Sequence, residues 1–230
     1  MAKSYGIDPD RISLERFREL TEAKDMLPGR IMLREQMDVR FAALKEAGVQ
    51  HLGELLAKLS TRTKIQGFSE RTGLPEEYLV LLKREAGSYL ARPVPLSDYP
   101  GIPFEYTELL KSHGLRNSKV LFEEVQTEEQ QADLAKATGI PVYRLKELHS
   151  LCDLSRITGV GGLFARVLYE ARIRSVADYS QTGAAEILER CRQVIEKYGY
   201  AAGKLGKKDI QYGINYARLV SEWDQTSNRI

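Results

Sequence analysis

The sequence predicts an all-α fold in which similar helical units follow one another along the chain. Apolar residues recur three and four positions apart over most of its length, the breakers are glycine and proline, and the alternation typical of strands is nearly absent. In addition, residues 44–82 match residues 110–148 at a single offset of 66 positions. A repeat of this length indicates supersecondary units that bury their apolar faces against their neighbours.

Leucines, glycines and a proline define the first two copies of this repeat. The matching pairs are Leu44 and Leu110, Lys45 and Lys111, Gly48 and Gly114, Leu55 and Leu121, Thr72 and Thr138, Gly73 and Gly139, Pro75 and Pro141, Leu79 and Leu145, and Leu82 and Leu148. A third, divergent copy contains Gly159, which stands 13 residues before Arg172, as Gly101 stands 13 residues before Gly114. Three successive copies are therefore expected.

The individual elements follow from the spacing of apolar residues and breakers. An amphipathic segment opens with Leu14 and Phe17 and closes at Pro28. At Gly73 and Gly139, glycine can adopt the left-handed conformation that ends a helix, and the proline two residues later suits the start of the next helix. These two positions are predicted to be helix–turn–helix corners.

The breakers also suggest a domain organisation. Residues 86–100 are rich in proline and indicate a connector. We expect residues 1–93 to form an N-terminal helical segment with a degenerate first copy. Residues 94–154 then form the second copy, and residues 155–230 form a third, basic copy with a C-terminal helix.

The net charge of +2 hides an asymmetry between the second and third copies. Residues 94–154 contain six Lys and Arg against ten Asp and Glu, a net −4, whereas residues 155–218 contain eleven against six, a net +5. A charge of this size is typical either of a solvated helix face or of a binding patch. Opposite charges would also allow two chains, or the chain and a protein partner, to associate.

Composition places the chain among globular proteins. Its 230 residues are 43% hydrophobic, enough for one compact protein or two closely packed domains. There is no apolar run of about 18 residues and no apolar signal-peptide centre at the start, so we expect a cytoplasmic protein without a membrane partner. Cys152 and Cys191 stand alone, which favours reduced, buried thiols over a disulfide framework or a zinc site.

The third copy carries a turn that reads Ile157-Thr158-Gly159-Val160-Gly161-Gly162 and is followed by a helix containing Ala165, Leu168 and Ala171. This segment resembles the helix-hairpin-helix family, whose hairpin alternates hydrophobic residues and glycines. Together with the upstream Thr-Gly-Ile-Pro element, it is also similar to a bacterial domain family of unknown function built from tandem units of this kind. The resemblance implies tandem helix-hairpin-helix-like units packed as a short helical repeat protein. It further implies a turn that grips a DNA phosphate without reading sequence.

Only one of the three hairpins keeps the donors that this contact needs. A phosphate at a helix N-terminus is held by unpaired backbone N–H groups, which Gly161, Gly162 and Leu163 all carry. In the second copy Pro103, which has no N–H, stands in the place of Gly161. In the first copy Glu35 stands where the hairpin glycine is expected.

The leading hypothesis is therefore a non-catalytic protein that touches duplex DNA weakly and without sequence preference through this hairpin. The predicted nucleic-acid-binding residues are Gly159, Val160, Gly161, Gly162, Arg156, Arg166, Arg172 and Arg174. Alternatively, the turn only packs two helices, and the protein is a scaffold that binds a protein partner or itself without binding nucleic acid. No complete catalytic constellation is present, so an enzyme of unfamiliar type is only the third alternative.

Other motifs carry less information. No metal-ligand spacing links His51, His113 and His149, and Phe164 stands where a dinucleotide-binding turn needs its third glycine. We expect neither a metal nor a cofactor. Tyrosines and lysines also alternate near the C-terminus, a mixture that could stack bases and follow a single strand, although helical spacing favours packing for Tyr212 and Tyr216. These residues are Tyr198, Tyr200, Tyr212, Tyr216, Lys204, Lys207 and Lys208.

Overall fold

α-Helices and short 3-10 helices make up the regular structure of the chain, which confirms the all-α prediction. The computed structural model describes residues 3–24, 28–201, 203 and 205–227. Within these ranges no strand forms, and extended pairing is limited to two isolated bridges, Ser13 with His51 and Pro95 with Asn117. None of the helices in this described part is both long and apolar enough to cross a membrane.

The chain divides into two compact units. The N-terminal unit is Asp8–Leu90, and the C-terminal unit combines Met1–Ile7 with Ala91–Ile230. The boundary at residue 90 falls inside the proline-rich stretch predicted to be a connector. The predicted domains 94–154 and 155–230 both lie in the C-terminal unit.

Five α-helices and two 3-10 helices are described in the N-terminal unit. The α-helices are α1 (Leu14–Ala23), α2 (Met37–Glu46), α3 (Leu52–Lys58), α4 (Arg62–Thr72) and α5 (Glu76–Gly87), and the 3-10 helices are Pro9–Arg11 and Pro28–Arg34. Phe17 is fully buried and packs against Phe41 and Tyr89, with ring centroids 6.1 and 5.9 Å apart. This aromatic cluster anchors α1 to α2 and to the residues that follow α5.

Eight α-helices and one 3-10 helix are described in the C-terminal unit. The α-helices are α6 (Phe104–Ser112), α7 (Ser118–Glu124), α8 (Glu128–Thr138), α9 (Val142–Leu154), α10 (Gly162–Glu170), α11 (Val176–Gln181), α12 (Ala184–Tyr198) and α13 (Lys207–Ser227), and the 3-10 helix is Leu96–Asp98. Helix α9 packs on α7, α8 and α10, and α13 packs on α11 and α12.

The helix boundaries follow the offsets found in the sequence. Moved by 66 positions, α3 and α4 coincide with α7 and α8. Between the second and third copies the offset is 58 positions, and α6 moved by this offset coincides with α10. The predicted corners are confirmed, because Gly73 has φ +71° and Gly139 has φ +74°, and each ends its helix with a left-handed cap. In both corners a threonine hydroxyl accepts the N–H of the residue after the glycine, at 3.3 Å.

The leucines matched between the first two copies form the cores of the two units. Leu44, Leu55, Leu79 and Leu82 are inaccessible to solvent in the N-terminal unit, and Leu110, Leu121, Leu145 and Leu148 are at most 1% exposed in the C-terminal unit. Burying one leucine stabilises a fold by about 1.5–3 kcal/mol, so this pattern explains why the copies keep the same helical frame.

Candidate nucleic-acid interface

The glycine-rich turn between α9 and α10 is partly exposed. Gly159 and Gly161 are exposed, whereas Val160 is 6% exposed and packs inward. Gly159 has φ +88°, a conformation that favours glycine, and Gly161 is the extended N-cap of α10 with φ −86°. A Cβ atom built on either glycine would meet nothing within 4 Å. The turn therefore presents open backbone.

The start of α10 has no side-chain cap. Its first intrahelical hydrogen bond runs from the Ala165 N–H to the Gly161 carbonyl at 2.9 Å. The N–H groups in the first turn of the helix, before Ala165, therefore have no acceptor inside the helix. Together with the positive end of the helix dipole, these groups form an arrangement able to hold an anion.

Gly162 has a packing role. It is buried, and a Cβ built on it would lie 2.2 Å from the Asp98 carbonyl oxygen. Glycine is needed here because α10 approaches the backbone of the 3-10 helix Leu96–Asp98 so closely. For this one residue the structure agrees with the packing interpretation of the turn.

Arg156 lies in the interior of the C-terminal unit and does not reach solvent. Its side chain has no exposed area, and its guanidinium bonds Asp153 at 2.7 Å, both carboxylate oxygens of Asp224 and, through Nε, the Tyr5 carbonyl at 3.0 Å. Burial would lower the pKa of Arg156, but its hydrogen bond to Asp224 and the two carboxylate charges raise that pKa overall. The positive charge of Arg156 is neutralised inside the fold, so Arg156 is not part of the predicted nucleic-acid interface.

Arg166 is held in the same way and is only 3% exposed. Its Nη1 bonds the Glu147 carboxylate and lies 3.4 Å from the Glu170 carboxylate, while its Nε donates to the Pro100 carbonyl at 2.7 Å. This arginine joins α10 to α9 and to the turn before α6, so it is not part of the predicted nucleic-acid interface either.

These two arginines account for part of the charge asymmetry. Arg156 pairs with Asp153 and Arg166 pairs with Glu147, so acidic residues of 94–154 neutralise basic residues of 155–230 inside one compact unit. The sequence could not reveal this pairing, because i,i+3 spacing does not show which face of a helix is buried.

Arg172 and Arg174 are exposed but stand at the other end of α10. The helix has nine residues, about 13 Å, which separates them from the glycine turn. The Arg174 guanidinium lies over the Tyr169 ring, 4.9 Å from its centroid. The structure therefore divides the eight predicted residues into a turn with two exposed and two buried residues, two buried arginines and two distant exposed arginines.

Arg172 borders an open groove, between the end of α10 and α12, that the sequence analysis missed. This groove has a volume of about 370 Å³, and among its lining residues are Arg190, Lys197 and Tyr198. A signal was present in the sequence, because Arg190 and Lys197 are seven positions apart and so lie on one helix face. That this face meets Arg172 depends on how the helices pack.

The prediction of reduced, buried cysteines is confirmed, and the tyrosines near the C-terminus differ in burial. Cys152 and Cys191 are free and buried, and burial raises the pKa of the Cys191 thiol to about 12. Tyr216 is buried, as its spacing predicted, whereas Tyr198 is 48% exposed. Lys204 lies outside the described residues. Across the described ranges, no group of three or more His, Cys, Asp or Glu side chains could hold a metal ion.

Comparison with known proteins adds one finding. A family model for a domain of unknown function, DUF4332, matches residues 100–218, from the turn before α6 into α13. Neither the curated proteins nor the solved structures gave a match.

Proposed function

The chain belongs to the DUF4332 family, and we propose that it is a non-catalytic protein that contacts nucleic-acid phosphates without sequence preference through the turn at residues 159–161 and the first N–H groups of α10. One observation carries the proposal: α10 begins at an exposed glycine turn, and no side chain caps its first N–H groups. A phosphate oxygen is a natural acceptor for such groups. The resemblance of this turn to the helix-hairpin-helix family, here in tandem units, supports the same function.

The second hairpin makes the contrast that the proposal depends on. There Pro103 is the N-cap of α6 and lacks an N–H, and Glu105 lies in the first helical turn. In the third hairpin Gly161 supplies an N–H, and the first turn of α10 contains no acidic residue. A phosphate is therefore favoured at α10 and repelled at α6.

Replacing Gly161 by proline tests the contact with little change to the fold. Gly161 has φ −86°, close to the range of proline, and Pro103 already occupies the equivalent position with φ −58°. We expect the wild type to bind duplex DNA with a dissociation constant of about 10⁻⁴ to 10⁻⁶ M and with a steep dependence on salt. Loss of one hydrogen bond to a charged group should weaken binding by about 10-fold or more, as measured by fluorescence anisotropy at low salt.

Pro103→Gly is the matched control, because it changes the same type of residue at the hairpin that carries Glu105. Its duplex affinity should equal that of the wild type. A wild type that fails to bind duplex at low salt would refute the proposal, as would a well-folded Gly161→Pro variant with unchanged affinity.

A second candidate function, contact with another protein, is favoured by two exposed rings. Phe104 is 67% exposed at the start of α6, and Tyr143 is 65% exposed in the first turn of α9. Large apolar rings at a surface are typical of protein contacts. If they mediate self-association, light scattering should detect oligomers at high protein concentration, and Phe104→Ser with Tyr143→Ser should restore the monomer. A charge-driven contact would instead weaken with salt, and a monomer under every condition would leave only a foreign partner.

A further inference from the structure

The helix end after α10 differs chemically from its two counterparts. In all three copies one residue adopts a left-handed conformation and donates its N–H three positions back, while the next N–H returns five positions to the helix. The left-handed residue is Gly48 with φ +75°, Gly114 with φ +82° and Arg172 with φ +64°. Glycine adopts this conformation without steric strain, whereas arginine does not. The fold would therefore be served better by glycine at position 172.

The Arg172 side chain offers no compensating contact within the fold. It is exposed, and no hydrogen bond or ion pair joins it to another residue in the described part of the chain. A strained residue with an exposed cation indicates a role outside the fold. The groove that Arg172 lines indicates what this exposed cation binds.

Two further cations line this groove from α12. Arg190 and Lys197 stand two helical turns apart on one face of α12, together with Gln193. The Arg190 guanidinium pairs with Glu186, but both side chains are about half exposed, at 43% and 53%, and such a pair is easily replaced by a stronger anion. The carboxylate in the lining, Glu170, lies 3.4 Å from the buried Arg166 guanidinium. The groove is therefore basic.

An aromatic pair with one exposed ring, Tyr198, stands at the same groove. Tyr198 lines it, is 48% exposed, and stacks on Tyr200 with ring centroids 5.7 Å apart and planes inclined by 27°. The Lys197 ammonium lies 5.1 Å from the Tyr198 centroid. Cations beside a tyrosine supported by a second ring are typical of surfaces that hold a phosphate backbone and stack a base.

We propose that this groove binds single-stranded nucleic acid. Arg172, Arg190 and Lys197 contact successive phosphates, and one base stacks on Tyr198. A volume of about 370 Å³ lies at the small end of ligand sites, which suits one nucleotide at a time along an open groove. The site lies at the end of α10 opposite the glycine turn and functions independently of it.

The tyrosine favours a single strand over a duplex. Inside a duplex the faces of each base are covered by the neighbouring base pairs, so an exposed ring can stack only on an unpaired or flipped base. Phosphate contacts alone would not distinguish the two forms. The groove should therefore prefer the single strand.

The test is the binding of a fluorescent 12-residue oligothymidylate and of a duplex of equal length, by anisotropy over a range of salt concentrations. Arg172→Gly should weaken single-strand binding and make the slope of log K against log salt shallower by about 0.7, since one phosphate contact is lost. The melting temperature of Arg172→Gly should equal or exceed that of the wild type, which excludes misfolding as the cause. Tyr198→Ala should weaken single-strand binding by about 5-fold to 100-fold.

Arg192→Gln is the matched control, because Arg192 is exposed on α12 but lies about 160° around the helix from Arg190. It removes the same charge and should leave the salt slope unchanged. Gly161→Pro separates this proposal from the hairpin proposal, because it leaves Arg172 and Tyr198 unchanged, so the single-strand losses caused by Arg172→Gly and Tyr198→Ala should be the same in its presence. The groove proposal is overturned by a wild type that does not bind the single strand, by an unchanged slope in Arg172→Gly, or by equal losses in Arg172→Gly and Arg192→Gln.

Discussion

Residues 94–154 and 155–230 place different chemistry on the same helical frame. Their first helices, α6 and α10, have the same length and start from the same type of turn, yet Pro103 in one turn is replaced by Gly161 in the other, and Gly114 at one helix end is replaced by Arg172. The buried leucines fix the frame and leave these corners free. A repeat can therefore acquire a ligand site in one copy without changing its packing.

The interiors of the two segments differ as well. Before α7, the Ser118 N–H donates to the Val94 carbonyl at 2.8 Å, a contact between two stretches of backbone. Before α11, the corresponding N–H of Val176 donates to the Asp153 carboxylate, also at 2.8 Å. Asp153 then binds Arg156, so a buried charge cluster takes the place of a backbone bridge. The third copy should therefore be the more sensitive to substitutions of charged residues.

The largest effect is expected from Arg156→Met. This change leaves the Asp153 carboxylate in the interior without its cation, and it leaves Asp224 with only the half-exposed Lys3 ammonium, 3.5 Å away. Loss of one partner of a buried ion pair costs about 3–5 kcal/mol of unfolding free energy, which urea titration can measure. Arg172→Met is the control, because it removes an exposed arginine and should cost less than about 1 kcal/mol. Equal losses for the two variants would show that the buried cluster contributes no more to stability than an exposed arginine does.

Gly162→Ala should give the next largest loss. Its Cβ would lie 2.2 Å from the Asp98 carbonyl oxygen, so the backbone of one of the two elements must shift. Overpacking of this kind costs about 1–3 kcal/mol. Gly161→Ala is the neighbouring control, since its Cβ meets nothing within 4 Å and its φ is −86°. Thermal unfolding of both variants checks the difference, and equal melting temperatures would contradict the close packing of α10 on residues 96–98.

Exchanging residues at the two left-handed helix ends should give effects of opposite sign. Gly114→Arg introduces a side chain at φ +82° and should destabilise by about 1 kcal/mol, whereas Arg172→Gly relieves a side chain at φ +64° and should stabilise by a similar amount. Chemical denaturation measures both. The same sign for the two changes would mean that the side chain at position 172 contributes to the fold.

The smallest effect is a pH dependence that arises from His149 on α9. Its ring stacks on Phe122, with centroids 5.3 Å apart, and burial lowers its pKa below the ordinary value, with Asp153 opposing and Lys3 and Arg156 reinforcing the shift. The unfolded chain then binds a proton more readily than the folded chain. The stabilisation is present above the ordinary histidine pKa, about 6.5, and is lost as the pH falls through and below it.

His149→Gln tests this pH dependence, because glutamine does not titrate. Unfolding free energies between pH 5 and pH 8 should decrease toward pH 5 in the wild type and vary less in the variant. A parallel decrease in both proteins would assign the pH dependence to other groups.

The sequence predicted much of the fold and less of the site. The corners at Gly73 and Gly139 and the buried leucines were predictable because each is a local rule, a left-handed glycine or an apolar face, repeated at one offset. The arginines near the glycine turn were not. From the sequence, Arg156 and Arg166 were expected to be exposed cations. Their carboxylate partners come together around them only when α9, α10 and α13 pack.

The sequence by itself determined the helical frame, the spacing of its three copies and the one hairpin of the three that has neither the acidic residue of the first copy, Glu35, nor the proline of the second, Pro103. These properties depend on the conformational preferences of glycine and proline and on apolar periodicity, which act within a few residues. The tertiary structure alone decided which cations are exposed and which meet in one groove, because Arg172 and Arg190 are distant in the chain and come together only when α10 packs against α12. The sequence shows which residues carry a charge, whereas the burial and the partners of each charge depend on the whole fold.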